Sequence, residues 1–194
     1  GSRVNDYLKP YGRMFSPDPA SKKSAMVGGI VVNNASGMNC GTHANSDKIL
    51  KSVRLVFADG TVLDTGDDRS RKLFAMNKPQ FMEGIMKLRD EICADEELKK
   101  RILYKYSIKN VTGLNLLPFV TFRDPFDIIA HSIVGSEGTL AFMSEITVNT
   151  AHLYPHSASA MLYFSDLEEA CKAVVAMKKG PVFGAELLDK KSLS

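Results

Sequence analysis

The chain has 194 residues, 44% apolar and 24% charged, with a formal net charge of +3. These values describe an ordinary globular protein with room for one cored domain and part of a second. The charge is too small to argue for nucleic acid or an anionic membrane as partner, and no apolar run reaches the ~20 residues that span a bilayer.

In chain order, Asn5 to Ser24 is polar and carries Pro10, Pro17 and Pro19, so it reads as a loop. Met26, Val27, Ile30, Val31 and Val32 follow as a short buried stretch, either strand or the start of a helix. Val53, Leu55 and Phe57 then alternate, and Asp59-Gly60 turns the chain into Thr61–Asp64, which predicts a hairpin. Phe81, Ile85, Leu88 and Ile92 recur at helical spacing, predicting a helix over about 79–93. A second helix should start at Asp95, a suitable cap, with Glu96 and Glu97 in its first turn and Lys99-Lys100-Arg101 on a solvated face. Leu140 to Thr150 returns to strand character. Beyond residue 151 the pattern is a β-α-β unit: Met161–Phe164, a helix capped by Ser165 with Glu168, and Val182–Ala185. The boundary between two units is set near residue 151.

Two segments combine glycine with small hydroxyl or amide side chains beside apolar runs. They are Gly28-Gly29-Ile30-Val31-Val32-Asn33-Asn34-Ala35-Ser36-Gly37 and Gly135-Ser136-Glu137-Gly138-Thr139-Leu140. Glycine allows close backbone approach and positive φ, and successive N–H groups in such turns form concavities for phosphate oxygens. The first segment is neither G-x-G-x-x-G nor G-x-x-x-x-G-K-[ST], which disfavours a Rossmann site and a P-loop. With Pro17-Asp18-Pro19, Cys40-Gly41-Thr42 and their neighbours it would surround one elongated, phosphate-containing ligand.

Other candidates are weaker. Cys40, Cys93 and Cys171 form no C-x-x-C pair and read as reduced thiols of an intracellular protein. His152 and His156 are four apart, but Pro155 between them argues for a surface loop rather than a metal site. His43 is a flavin contact or a polar loop residue, and His131 reads as a half-buried histidine before an apolar strand. No Ser–His–Asp or Cys–His arrangement can be argued.

Together the Pro-Asp-Pro loop, the Gly-Gly to Ser36-Gly37 run, the Asp-Gly hairpin and Gly135-Ser136-Glu137-Gly138-Thr139-Leu140 resemble the FAD-linked oxidase family with a vanillyl-alcohol-oxidase or PCMH-type flavin domain. Asn39–Ser46 and Asp124–Ile129 resemble the bacterial D-2-hydroxy-acid dehydrogenases within it, the D-lactate and D-2-hydroxyglutarate enzymes that are fused to an iron–sulfur module. The resemblance implies an α+β fold, with residues 1–150 as the second subdomain of the FAD-binding domain and 151–194 as the first β-α-β part of a cap domain. It implies FAD as cofactor, with Pro17, Asp18 and Ser21 in a loop beside it. Gly28, Gly29, Asn34, Ser36, Gly37, Gly41 and Thr42 would lie along its pyrophosphate and ring side, and Glu137, Gly138 and Ile146 at the adenine–ribose or ring edge. Lys109–Gly113 matches a family loop that often continues Gly-Tyr, where this chain has Leu114.

The implied parent is an FAD-dependent D-2-hydroxy-acid dehydrogenase with a small 2-hydroxy acid and an electron acceptor as partners, in the cytoplasm, with peripheral contact to the inner membrane left open. Its catalytic base, metal ligands and iron–sulfur cysteines are not in this chain. Gly1-Ser2 reads as a cleavage scar, so the chain is expected to be a fragment, inactive alone and open to self-association. A non-redox flavin enzyme resembling alkylglycerone-phosphate synthase and a flavin-free binding module stay open as alternatives.

Overall fold

A computed structural model describes residues 1–37, 43–110, 113–177, 179–180 and 182–193. The elements in order are α1 (Ser2–Leu8), β1 (Arg13–Met14), α2 (Val27–Val32), α3 (Ser46–Ile49), β2 (Leu50–Val56), β3 (Val62–Asp64) and α4 (Asp68–Asn77). Then come α5 (Pro79–Ala94), α6 (Glu96–Lys105), α7 (Leu117–Thr121), α8 (Pro125–Ser132), β4 (Phe142–Val148), β5 (Ala151–His152) and α9 (Leu167–Met177). The mixture is α+β, as the sequence implies.

The central sheet is antiparallel, with strand order β3-β2-β4. The expected hairpin forms: Leu55 pairs with Leu63, and Gly60 takes φ +81° in the turn. Past the end of β3, Thr65 prolongs the ladder. Its N–H donates to the Val53 carbonyl and its buried hydroxyl accepts from the Val53 N–H, each at 2.9 Å. Val53 and Leu55 turn one face of β2 into the core, where Ile30 and Val31 of α2, Phe15, and Ile129, Ile133 and Val134 in and after α8 meet them.

A second apolar cluster joins the helices. Ile92 of α5, Ile102 of α6, Phe119 of α7 and Ile128 of α8 are buried together, and Ile85 touches both clusters. The expected α5 and α6 are present, and Asp95 caps α6 by accepting from the Leu98 N–H at 2.9 Å. Helix α8 follows Asp124-Pro125, where the Asp124 carboxylate accepts from the Phe126 N–H and Pro125 starts the helix with no donor to satisfy. Arg71 ties this cap to the sheet. It donates to the Thr65 carbonyl and to Asp124, and its guanidinium lies 5.3 Å from the centre of the Phe126 ring.

Several expectations fail. The opening is not loop throughout, because α1 forms before the first proline and turns Val4 and Leu8, four apart, onto the core. The ambiguous stretch at 24–33 forms a helix at its centre, Val27–Val32, and no strand. His131 lies in α8 and not before a strand; its Nδ1 is 2.9 Å from the Asp127 carbonyl and its ring stacks on Phe122. Met161–Phe164 and Val182–Ala185 pair with nothing among the described residues, so α9 has no strand on either side. Strand runs need a neighbouring ladder, and here their side chains stand exposed, Tyr163 at 79%. Ser165 is also not the cap of α9. Asp166 takes the Glu169 N–H at 2.9 Å, because its carboxylate sits directly before the first helical residue. Among the described residues no helix is long and apolar enough to cross a membrane.

Candidate cofactor site

Helix α2 carries two glycines on a buried helix, an unfavourable choice on helix propensity alone, by about 0.5–1 kcal/mol each. Ile30 and Val31 bolt it to the sheet. Nothing in the fold demands the glycines: a Cβ on Gly29 would meet nothing within 4 Å, and one on Gly28 only the Met143 carbonyl at 3.9 Å. Both instead face a cleft of about 880 Å3, which Gly138 and Ile146 line from the other side. That volume lies in the range of small-molecule sites. Side chains at 28 and 29 would fill a cradle that the protein leaves bare, and this is the fit a close-approaching cofactor requires.

The two glycine segments are joined at one atom. The Val32 carbonyl, at the end of α2, accepts from the Gly135 N–H at 2.8 Å and from the Glu137 N–H at 2.9 Å. The turn that delivers these donors needs three left-handed residues: Gly135 at φ +92°, Glu137 at +53° and Gly138 at +80°. Glu137 holds a backbone conformation that few non-glycine residues adopt. Its exposed carboxylate has no ion pair among the described residues.

Strand β4 reaches the cleft through a bulge. Arg54 of β2 faces Glu145 while the next residue, Leu55, faces Met143, so Ser144 is the extra residue, and its hydroxyl donates to the Arg54 carbonyl. The bulge changes which side chains point inward. Met143 is buried, and Phe142 is turned out to the rim of the cleft, 71% exposed. Met26 stands at the rim as well, 81% exposed. Arg3 and Lys23 line the same cleft, and neither is in an ion pair among the described residues. The one carboxylate there, Glu145, is paired with Arg54 at 2.7 Å. The residual charge is positive and suits an anionic ligand.

Of the described residues, Glu137 and the remaining predicted ones lie outside the lining of this cleft. Pro17 is buried, and Asp18 pairs with Lys22 at 2.5 Å. Ser21 is exposed, and its carbonyl accepts from the Ser24 and Ala25 N–H groups. Asn34 is buried at φ +47°, its side-chain oxygen 3.4 Å from the Asp47 N–H, and the Ser36 hydroxyl donates to Asn45 at 2.7 Å. The side chains of Asp18, Asn34 and Ser36 are thus occupied by the protein itself. Gly37 is needed for packing: a Cβ there would lie 1.8 Å from the Asp18 carbonyl oxygen. Gly41 and Thr42, with Cys40, lie outside the described residues. His43, His152 and His156 are exposed, and no group of three or more metal-ligating side chains converges among the described residues.

Sequence reasoning missed Met26, Phe142, Arg3 and Lys23. Met26 and Phe142 read as core because they are apolar, and the bulge that expels Phe142 has no signature at Ser144.

The geometry agrees with comparisons to known proteins. Residues 1–66 match the FAD binding domain family. The chain is 24% identical over 204 residues to a D-2-hydroxyglutarate dehydrogenase of Haemophilus influenzae, covering 99% of this chain and 19% of that protein. It is 24% identical over 193 residues to a mitochondrial D-lactate dehydrogenase [cytochrome] 1 of Saccharomyces cerevisiae, covering 98% and 24%. Against a glycolate oxidase subunit of Escherichia coli the identity is 24% over 202 residues, covering 91% and 37%. The chain thus spans about a fifth of the length of the D-2-hydroxyglutarate dehydrogenases that it matches. An FAD binding domain match over the first third of the chain, with relatives aligned along nearly all of it, points to the same flavin cofactor as the glycine motifs.

Proposed function

We propose that this chain forms one wall of the FAD site in a D-2-hydroxy-acid dehydrogenase of the D-lactate or D-2-hydroxyglutarate class. The observation that carries the reading is the bare cradle of Gly28, Gly29 and Gly138 on the 880 Å3 cleft. Exposed backbone suits pyrophosphate oxygens, Arg3 and Lys23 supply charge of the right sign, and Met26, Phe142 and Ile146 offer apolar surface to a flat ring. The Glu137 carboxylate suits ribose hydroxyls. Pro17, Asp18, Ser21, Asn34, Ser36 and Gly37 build the loop that supports α2, and the resemblance assigns Gly41 and Thr42 to the pyrophosphate and ring side of FAD. Residues 151–194 begin a substrate or cap domain.

When bound, FAD supplies the acceptor for a hydride from the α-carbon of the hydroxy acid. The residues of this chain bind and orient it. The names of the relatives support the substrate class, since they include D-2-hydroxyglutarate, D-lactate and glycolate enzymes. Stopped-flow mixing of the full-length flavoprotein with D-lactate or D-2-hydroxyglutarate under nitrogen should bleach the flavin far faster than the L enantiomers do. Equal rates for both hands would remove the proposed stereochemistry.

A further inference from the structure

The loop between α6 and α7 reaches both glycine segments. At its base the Tyr106 hydroxyl is 3.4 Å from the Leu114 carbonyl. From one side of the loop Lys109 Nζ donates to the Gly37 carbonyl at 3.0 Å. From the other the Gly113 carbonyl sits so close to Gly135 that a Cβ on Gly135 would approach it to 2.7 Å. Gly113 itself stands at φ +69°. One loop therefore contacts the end of the first glycine segment and the start of the second. Val32 is the other point at which those two segments are fastened together.

The contact chemistry is unequal. Gly113 meets Gly135 by shape, whereas Lys109 makes a hydrogen bond from a charged donor to a backbone carbonyl, stronger than a neutral one. Lys109 also lines a crevice of about 10 Å3 with Asp47, Tyr106 and Asn110, room for one water. Asp47 Oδ1 is buried there without a hydrogen-bond partner among the described residues. The same carboxylate pairs through Oδ2 with Lys48 at 3.1 Å, so what holds the Lys109 ammonium near Gly37 is its own hydrogen bond to that carbonyl.

We propose that Lys109 is a positioning residue for the cofactor: it fixes the Gly37 end of the first glycine segment against the 135–138 turn, and so sets the cradle that α2 presents to FAD. The inference rests on the FAD reading given above. It assigns to Lys109 no contact with the cofactor.

The test is FAD titration of the full-length apoprotein by flavin fluorescence, with visible-region circular dichroism of the bound flavin and thermal melting of the apoprotein. Lys109→Met should weaken FAD binding about fivefold to tenfold and alter the flavin dichroism. Lys109→Arg, which keeps a donor and a charge, should restore both to near the wild-type values. Apoprotein melting should be the same for all three. Unchanged affinity and dichroism in Lys109→Met would overturn the proposal. So would a loss in Lys109→Arg as large as in Lys109→Met, or a fall in melting temperature that tracks the fall in affinity. A wild-type apoprotein that binds no FAD would instead overturn the cofactor reading and this inference with it.

Discussion

A Cβ on Gly37 would sit 1.8 Å from the Asp18 carbonyl oxygen, whereas one on Gly29 would meet nothing within 4 Å. Sequence alone groups the two glycines as parts of one cofactor loop. The structure separates them. Gly37→Ala must push apart two backbone segments and should destabilise the protein by about 1–3 kcal/mol, read by urea unfolding without cofactor. Gly29→Ala should raise the stability of the apoprotein by up to about 1 kcal/mol through helix propensity, and weaken FAD binding in a fluorescence titration. A Gly29→Ala protein with unchanged FAD affinity would place the cofactor away from α2.

Among the elements, α8 depends on its first residues. Asp124→Ala removes the helix cap and the partner of Arg71 together, and should cost about 1–2 kcal/mol in chemical denaturation. Arg71→Lys should cost nearly as much, since an ammonium cannot reach Thr65, Asp124 and the Phe126 face at once. The β2–β3 turn carries a pH-dependent contact. A hydrogen bond from Lys78, then those from Thr61, hold the Asp59 carboxyl below its ordinary range. A lowered folded-state pKa means stabilisation present above pH ~4 and lost as the pH falls through the folded value. Acid titration followed by NMR should show the 57–61 turn holding its native shifts well below pH 4, and Lys78→Met should raise the midpoint. What could be read beforehand follows from signal strength. Asp59-Gly60 and the 81/85/88/92 spacing each have one physical meaning, and both came out as read. Helix α1 has only Val4 and Leu8 to announce it, against three prolines nearby. Helix α8 had its Asp-Pro start in plain view, yet at eight residues it is too short for periodicity to decide. In the cleft proposed for FAD, Gly28, Gly29 and Gly138 were picked out in advance because glycine permits close backbone approach and positive φ. Phe142 was not, since its facing depends on a pairing irregularity with a distant strand.

At the scale of the whole molecule, residues 1–152 contain both apolar clusters, and Ala170 of α9 is buried but belongs to neither. Leu167 and Val175 of that helix are more than 60% exposed. Limited proteolysis of the 194-residue chain should therefore cut between Leu153 and Leu193 before it cuts β2 or α5, and mass spectrometry of the early products would read this directly. Early cleavage inside α5 would contradict it. The Val32 carbonyl has a consequence in time as well as in space. It is met by amides about a hundred residues further along the chain, so the cradle exists only after a contact of long sequence separation, a slow kind, has closed. A cofactor cannot guide the folding of a wall assembled that late; it can only hold the finished wall shut. Added FAD should accordingly slow unfolding in a denaturant jump while leaving the refolding rate of the apoprotein where it was.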